Sequence, residues 1–181
     1  GFSMIETVME ESFLNYTLAI SIYSKDYALG IKTISDYEKK IEEYKKTISE
    51  EQLVTIYYKM ARILLLSGNA KKALVWVNRI LNESNPEIRP DMQCYARILN
   101  LIIHLELRNF DLLESITGSA KRFLKKKHML YKIETVFIDF VNSILKAAKE
   151  KEKQRLFVSL KQNLLELCRD SFEKNAFVHF D

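Results

Sequence analysis

The sequence predicts an all-α protein, a short solenoid of three to four stacked helical hairpins. Three observations predict it. Only 4 Gly and 2 Pro occur in 181 residues, too few for the many turns of an all-β fold. Apolar residues recur at three- and four-residue spacing along most of the chain, the period of a helix with one buried face. And Tyr57–Leu81 reads as a helix, a tight Gly-Asn turn and a second helix, with looser copies before and after it. A hydrophobic content of 48% beside 29% charged residues describes a globular chain and not a disordered one. The length suits one domain. Residues 1–181 are expected to form a single helical-repeat domain, with hairpins at about 4–47, 50–84, 90–127 and 130–169 and a short C-terminal helix at 171–180.

The first hairpin opens with Met4, Ile5, Val8, Met9, Phe13, Leu14, Leu18 and Ile22 as its expected buried stripe, with Glu6, Glu10 and Glu11 opposite. Ser24-Lys25-Asp26-Tyr27 marks the turn. Ile31, Ile34, Tyr37, Ile41 and Tyr44 form the return arm, and Gly30 is the small residue expected where helices touch. Ser49-x-x-Gln52 resembles a capping box and starts the central hairpin.

In that hairpin Ile56, Met60, Ile63 and Leu64 make one stripe, with Ala61 small enough to admit a neighbouring backbone. Gly68 suits the left-handed residue that ends a helix, and Asn69 is expected to cap the next one through its side-chain oxygen. Ala70, Ala73, Leu74, Val77, Ile80 and Leu81 restore the stripe until Ser84-Asn85-Pro86 closes it, since proline cannot continue a helix. The third hairpin starts at Pro90, a good first helical residue, and turns at Arg108-Asn109. Phe110, Leu113, Ile116, Ala120, Phe123 and Leu124 return, with Gly118 an internal weak point. The fourth pair, Tyr131–Ala148 and Leu156–Cys168, is joined through Lys149–Lys153. An aromatic stripe, Phe172, Phe177 and Phe180, still runs at Asp181, which reads as an excerpt from a longer protein.

Tyr57, Ala61, Leu64, Gly68-Asn69, Ala73, Val77 and Pro86 together resemble the spaced small and large positions of a tetratricopeptide repeat. The turn positions Lys25, Gly68 and Arg108 are 43 and 40 residues apart. That exceeds the roughly 34 of a standard tetratricopeptide unit and approaches the ~40–47 of other helical solenoids. The resemblance implies a right-handed solenoid whose concave face grips a peptide or another protein. In that register Tyr58, Arg62 and Leu65 face the groove from the central hairpin, and Ile98, Ile102 and Leu105 continue it, with Tyr95 at its upper end. Tyr58 and Arg62 stand outside the core stripe, and their residue types often anchor interfaces.

Catalytic signals are scarce. His104, His128 and His179 are the only histidines, and none has metal-ligand spacing to Cys or to another His. His104, between Ile103 and Leu105, reads as a packed, hydrogen-bonded histidine. Four scattered glycines cannot build a phosphate loop, and no G-x-S-x-G elbow occurs. Glu42-Glu43 and Glu50-Glu51 are adjacent, so on a helix they point apart. The expectation is a non-enzymatic scaffold with no catalytic residues, no cofactor and no metal. No apolar run reaches the ~20 residues of a membrane span, so no membrane partner is expected. The N-terminal stretch lacks the pattern of a signal peptide, and Cys94 and Cys168 read as buried reduced thiols. The expected location is cytoplasmic.

Charge is uneven. Residues 1–90 hold 12 basic and 12 acidic residues, whereas 91–181 hold 16 and 12. The excess gathers in Lys121–Lys132, where Lys121, Arg122, Lys125, Lys126, Lys127 and Lys132 stand without an acid. One reading is a solvated face with cations at a helix C-terminus. The other is an anionic partner: an acidic protein segment or, as the alternative function, nucleic acid met through its phosphates.

Overall fold

The computed structural model describes residues 4–169. Among these the chain is helical and has no strand. The elements are α1 (Met4–Ser24), α2 (Tyr27–Tyr37), α3 (Ile41–Tyr44), α4 (Glu50–Leu66), α5 (Ala70–Glu83), α6 (Pro90–Glu106), α7 (Phe110–Lys126), α8 (Lys132–Lys146) and α9 (Glu150–Leu167). Contacts gather the chain into two compact units, Gly1–Ile103 and His104–Asp181. The helix expected at 171–180, with His179, lies outside the described residues.

One turn design recurs. Lys25, Gly68 and Arg108, the three positions assigned to turns from sequence, are all left-handed, with φ of 57°, 81° and 57°. Behind Gly68, the Asn69 amide donates to the Leu64 carbonyl at 2.7 Å; behind Arg108, the Asn109 amide donates to His104 at 2.9 Å. These bonds satisfy carbonyls that the ending helix leaves over. His128, with φ of 56°, repeats the design as the Met129 amide donates to Leu124 at 2.9 Å. Capping on the far side varies. Asp26 accepts from the Leu29 amide at 3.0 Å, whereas Asn69 makes no side-chain cap on α5. Its Nδ2 instead donates back to Ser67 Oγ at 3.3 Å.

In the first unit α4 is the central element and packs against α1, α2 and α5. Leu53, Val54, Ile56, Tyr57, Tyr58, Met60, Ala61, Ile63 and Leu64 are all buried, so apolar surface goes well beyond a single stripe. The expected capping box starts it: Ser49 Oγ accepts from the Gln52 amide at 3.3 Å, and Gln52 Oε1 accepts from the Ser49 amide at 3.1 Å. Ala61 and Ala73 have no exposed surface. Trp76, which the stripe assignment passed over, is among the largest fully buried side chains. Its ring lies 5.4 Å from that of Tyr57, with the Arg79 guanidinium 4.7 Å from its centroid. The single return arm expected over Ile31–Tyr44 breaks after Tyr37. Tighter bonds, Lys40 to Tyr37 (2.9 Å) and Glu43 to Lys40 (3.0 Å), carry the chain into α3 and keep Ile41 and Tyr44 buried.

α1 is turned relative to its expected stripe. Its inward residues are Thr7, Glu11, Leu14, Leu18 and Ser21. Ile5, Val8, Met9 and Phe13 are exposed, while Glu11 is 2% exposed. The seam is the physical reason. A Cβ on Gly30 of α2 would collide with Ser21 Oγ and stand 2.7 Å from Ile63 Cγ2 of α4. Such a crossing admits serine and leaves no room for an aromatic ring.

In the second unit α8 packs against both α7 and α9. Leu113, Thr117, Ala120 and Leu124 of α7 are buried, as are Ile133, Glu134, Ile138, Phe140, Val141 and Ile144 of α8. α9 begins at Glu150, inside the segment expected to be a link, with Glu150 and Glu152 in its first turn. Acids there complement the helix dipole. No residue of α9 is fully buried; Phe157 meets Phe140 edge-on at 4.9 Å. Both cysteines are free, and Cys94 is buried as expected. Cys168 is exposed, because it falls past the last turn of α9.

Candidate functional site

The most distinctive surface is the outer face of α1. Ile5, Met9, Phe13, Tyr16, Ile20 and Tyr23 follow one another at spacings of four, four, three, four and three. That rhythm places all six on one side of a helix. They are 58% to 80% exposed, and Val8 beside them is also exposed. No charged residue interrupts the row. At the 150–250 Å² that a fully buried aromatic side chain offers, the row leaves on the order of 900 Å² open. The largest apolar patch on a typical monomer is ~300–600 Å², and larger ones mark interaction sites.

The inner face is fixed by polar contacts. Glu10 Oε1 accepts from Lys40 Nζ at 2.8 Å, and Glu10 Oε2 accepts from Tyr44 Oη at 2.7 Å. These bonds hold the Glu10 carboxyl below its ordinary range. Glu11 is the reverse. Gln52 Nε2 donates to its Oε2 at 3.3 Å, its Oε1 has no hydrogen-bond partner, and burial pushes its carboxyl up despite nearby Lys59. Lys59 Nζ donates to Asn15 Oδ1 at 2.5 Å, and burial lowers its own value. The inner face of α1 is thus engaged by these bonds, while on the outer row the Phe13 ring lies 6.5 Å from that of Tyr37 in α2.

The expected groove is placed differently. Tyr58 is 5% exposed and Ile98 is 1% exposed, so both are core residues and offer no surface to a partner. Tyr58 meets the Tyr95 ring at 6.2 Å, and the Arg62 guanidinium lies 6.0 Å from the Tyr58 centroid. Tyr58 is buried because α1, α2 and α5 all pack against α4, where a two-sided hairpin arm would leave that position open. Arg62, Leu65, Tyr95 and Ile102 are partly buried in the first unit, and Leu105 is partly buried in the second.

The cations of the Lys121–Lys132 segment lie mostly on the surface. Lys121, Arg122, Lys125, Lys126 and Lys132 are exposed; Lys127 is partly buried, its Nζ 5.8 Å from the Phe123 centroid. Leu124 is buried and Phe123 partly so, which leaves no exposed aromatic platform between the lysines. Lys125 and Lys126 occupy the last turn of α7, where the helix dipole favours them. His104 is buried, with Asn109 Nδ2 3.1 Å from its Nδ1, and burial lowers its value.

A cleft of about 200 Å³ lies between α8 and α9, lined by Val136, Phe140, Leu156 and Leu160 with Asp139 and Asn163. It brings the Asp139 carboxylate together with the Asn163 amide and the hydroxyls of Ser143 and Ser159. Among the described residues no three His, Cys, Asp or Glu side chains stand where they could share a metal ion, and no helix is long and apolar enough to cross a membrane. No protein-family model, curated protein or solved structure matches the chain.

The α1 row escaped the sequence reading because the helix is apolar nearly all round, so periodicity alone does not say which side turns in. The available signal was Gly30 with Ser21: a tight crossing draws the small and polar side of α1 inward.

Proposed function

We propose that this protein is a non-enzymatic interaction module that works by binding another protein through the outer face of α1. The observation that carries this reading is the uninterrupted row Ile5–Tyr23, on the order of 900 Å² of open side chain on a helix whose opposite face is packed against α2 and α4. A tetratricopeptide-like stack of hairpins is the architecture proposed with it. Its support is the left-handed residue shared by Lys25, Gly68 and Arg108 at spacings of 43 and 40 residues. The two free cysteines fit a cytoplasmic setting, where thiols stay reduced. The test is the double variant Phe13→Glu with Tyr16→Glu. Both side chains are exposed, so the helical circular dichroism signal stays as it is while binding in pull-down and crosslinking is lost. Binding that survives the double variant rejects the face.

A second reading, nucleic-acid binding, rests on Lys121, Arg122, Lys125 and Lys126, which recur at four-residue spacing and are all exposed on α7. Such a row meets phosphates without reading sequence.

A further inference from the structure

We infer that the outer face of α1 pairs two copies of this chain, antiparallel about a two-fold axis passing between Phe13 and Tyr16. This rests on the reading of α1 as a protein-binding face and names the partner. Three observations carry it.

The row is close to a palindrome. Met9, Phe13, Tyr16 and Ile20 are spaced four, three and four, the same in either direction. Two such helices laid antiparallel bring Phe13 against the partner's Tyr16 and Met9 against the partner's Ile20, with Ile5 and the partner's Tyr23 at each end. A two-fold interface needs this self-complementarity, because each residue meets its counterpart twice.

Charge agrees. A face that meets itself must not bury like charges, and the six residues of this row carry none. Glu6 flanks its start, and Lys25, exposed, stands past its end in the left-handed turn. The helix dipoles oppose as well.

Area agrees. On the order of 900 Å² is open per copy, enough for a helix pair covering most of it to approach the ~800 Å² that each partner of a stable complex contributes. A lipid surface fits less well. Interfacial helices carry Lys and Arg on their polar side to meet anionic headgroups, whereas α1 carries Glu6, Glu10 and Glu11 and no base.

The experiment is analytical ultracentrifugation of the unmodified chain and two double variants. The unmodified chain sediments with twice its mass at tens of micromolar. Phe13→Glu with Tyr16→Glu sets carboxylates against each other twice across the axis and raises the dimer midpoint more than about a hundredfold, since like charges brought together cost several kcal/mol. Phe13→Lys with Tyr16→Glu sets opposite charges across the axis and restores the dimer. An unmodified chain that stays monomeric up to about 100 μM overturns self-pairing. In that event, loss of a heterologous partner by the first variant keeps α1 as a protein-binding face, and unchanged binding removes that reading too. Two further results also overturn the proposal: a dimer indifferent to both variants, or a monomer that co-sediments with phosphatidylcholine vesicles through α1.

Discussion

Glu10 and Glu11 are consecutive, and their carboxylates sit in opposite electrostatic situations. Glu10 is held ionised by Lys40 and Tyr44; Glu11 is 2% exposed with one oxygen unpartnered. Their contributions to stability therefore have opposite signs. Glu10, lowered from 4.5, adds stability that is present above the ordinary carboxylate range and is lost as pH falls through its folded value. Glu11, raised from 4.5, adds stability that is present below that range and is lost as pH rises through its folded value. Glu11→Gln should thus raise the urea midpoint at pH 7 and gain little at pH 4, while Glu10→Gln lowers it at pH 7. A gain from Glu11→Gln that is equal at both pH values rejects the assignment.

Two glycines separate crowding from propensity. Gly30→Ala forces a Cβ into Ser21 and Ile63 and should cost about 1–3 kcal/mol, the usual range for overpacking. Gly118→Ala meets only the flexible end of Arg122, at 3.4 Å, and should gain up to ~1 kcal/mol from helix propensity alone. Thermal unfolding should show midpoints moving in opposite directions.

The turns make a complementary test. A Cβ on Gly68 meets nothing within 4 Å, so Gly68→Ala is penalised only by its left-handed backbone, about 1–2 kcal/mol. Arg108→Gly should relieve a similar cost at its turn. The gain is reduced by glycine's greater freedom in the unfolded chain, leaving roughly 0.5–1 kcal/mol. Denaturant midpoints of the two variants check the pair.

Burial of Tyr58 changes what its removal does. Tyr58→Ala should cost about 3 kcal/mol, as large aromatic-to-alanine changes in a core do, and so lower the unfolding midpoint before any binding is measured. Ala73→Phe should destabilise comparably, because Ala73 has no exposed surface. Lys72→Ala, on the exposed side of α5, should change the midpoint little. Comparable effects from Lys72 and Ala73 reject the register of α5.

The cations of α7 have their own measurement. If they meet phosphates, oligonucleotide affinity falls steeply with salt, and changing Lys125, Lys126 and Lys127 together to Gln flattens that slope. An unmodified chain that shifts no oligonucleotide at low salt removes the nucleic-acid reading.

Helix class, the left-handed turn positions and the capping box at Ser49 were legible because each is local: spacing, a single backbone conformation, two residues three apart. Gly30 was legible as a contact because only a missing side chain lets helices come that near. The facing of α1 and the burial of Tyr58 were not. Both depend on how many neighbours surround a helix, and α1 and α4 carry more apolar residues than one stripe requires. The start of α9 was misplaced because a lysine–glutamate run reads equally as a link or as a solvated first turn, and Cys168 because it falls past that helix's last turn.

The contrast between Cys94, 2% exposed, and exposed Cys168 makes the chain a single-label protein without mutagenesis. A maleimide dye or nitroxide should react once, just past the end of α9. Reporter chemistry is thereby kept well apart in sequence from the α1 row that it would be used to observe.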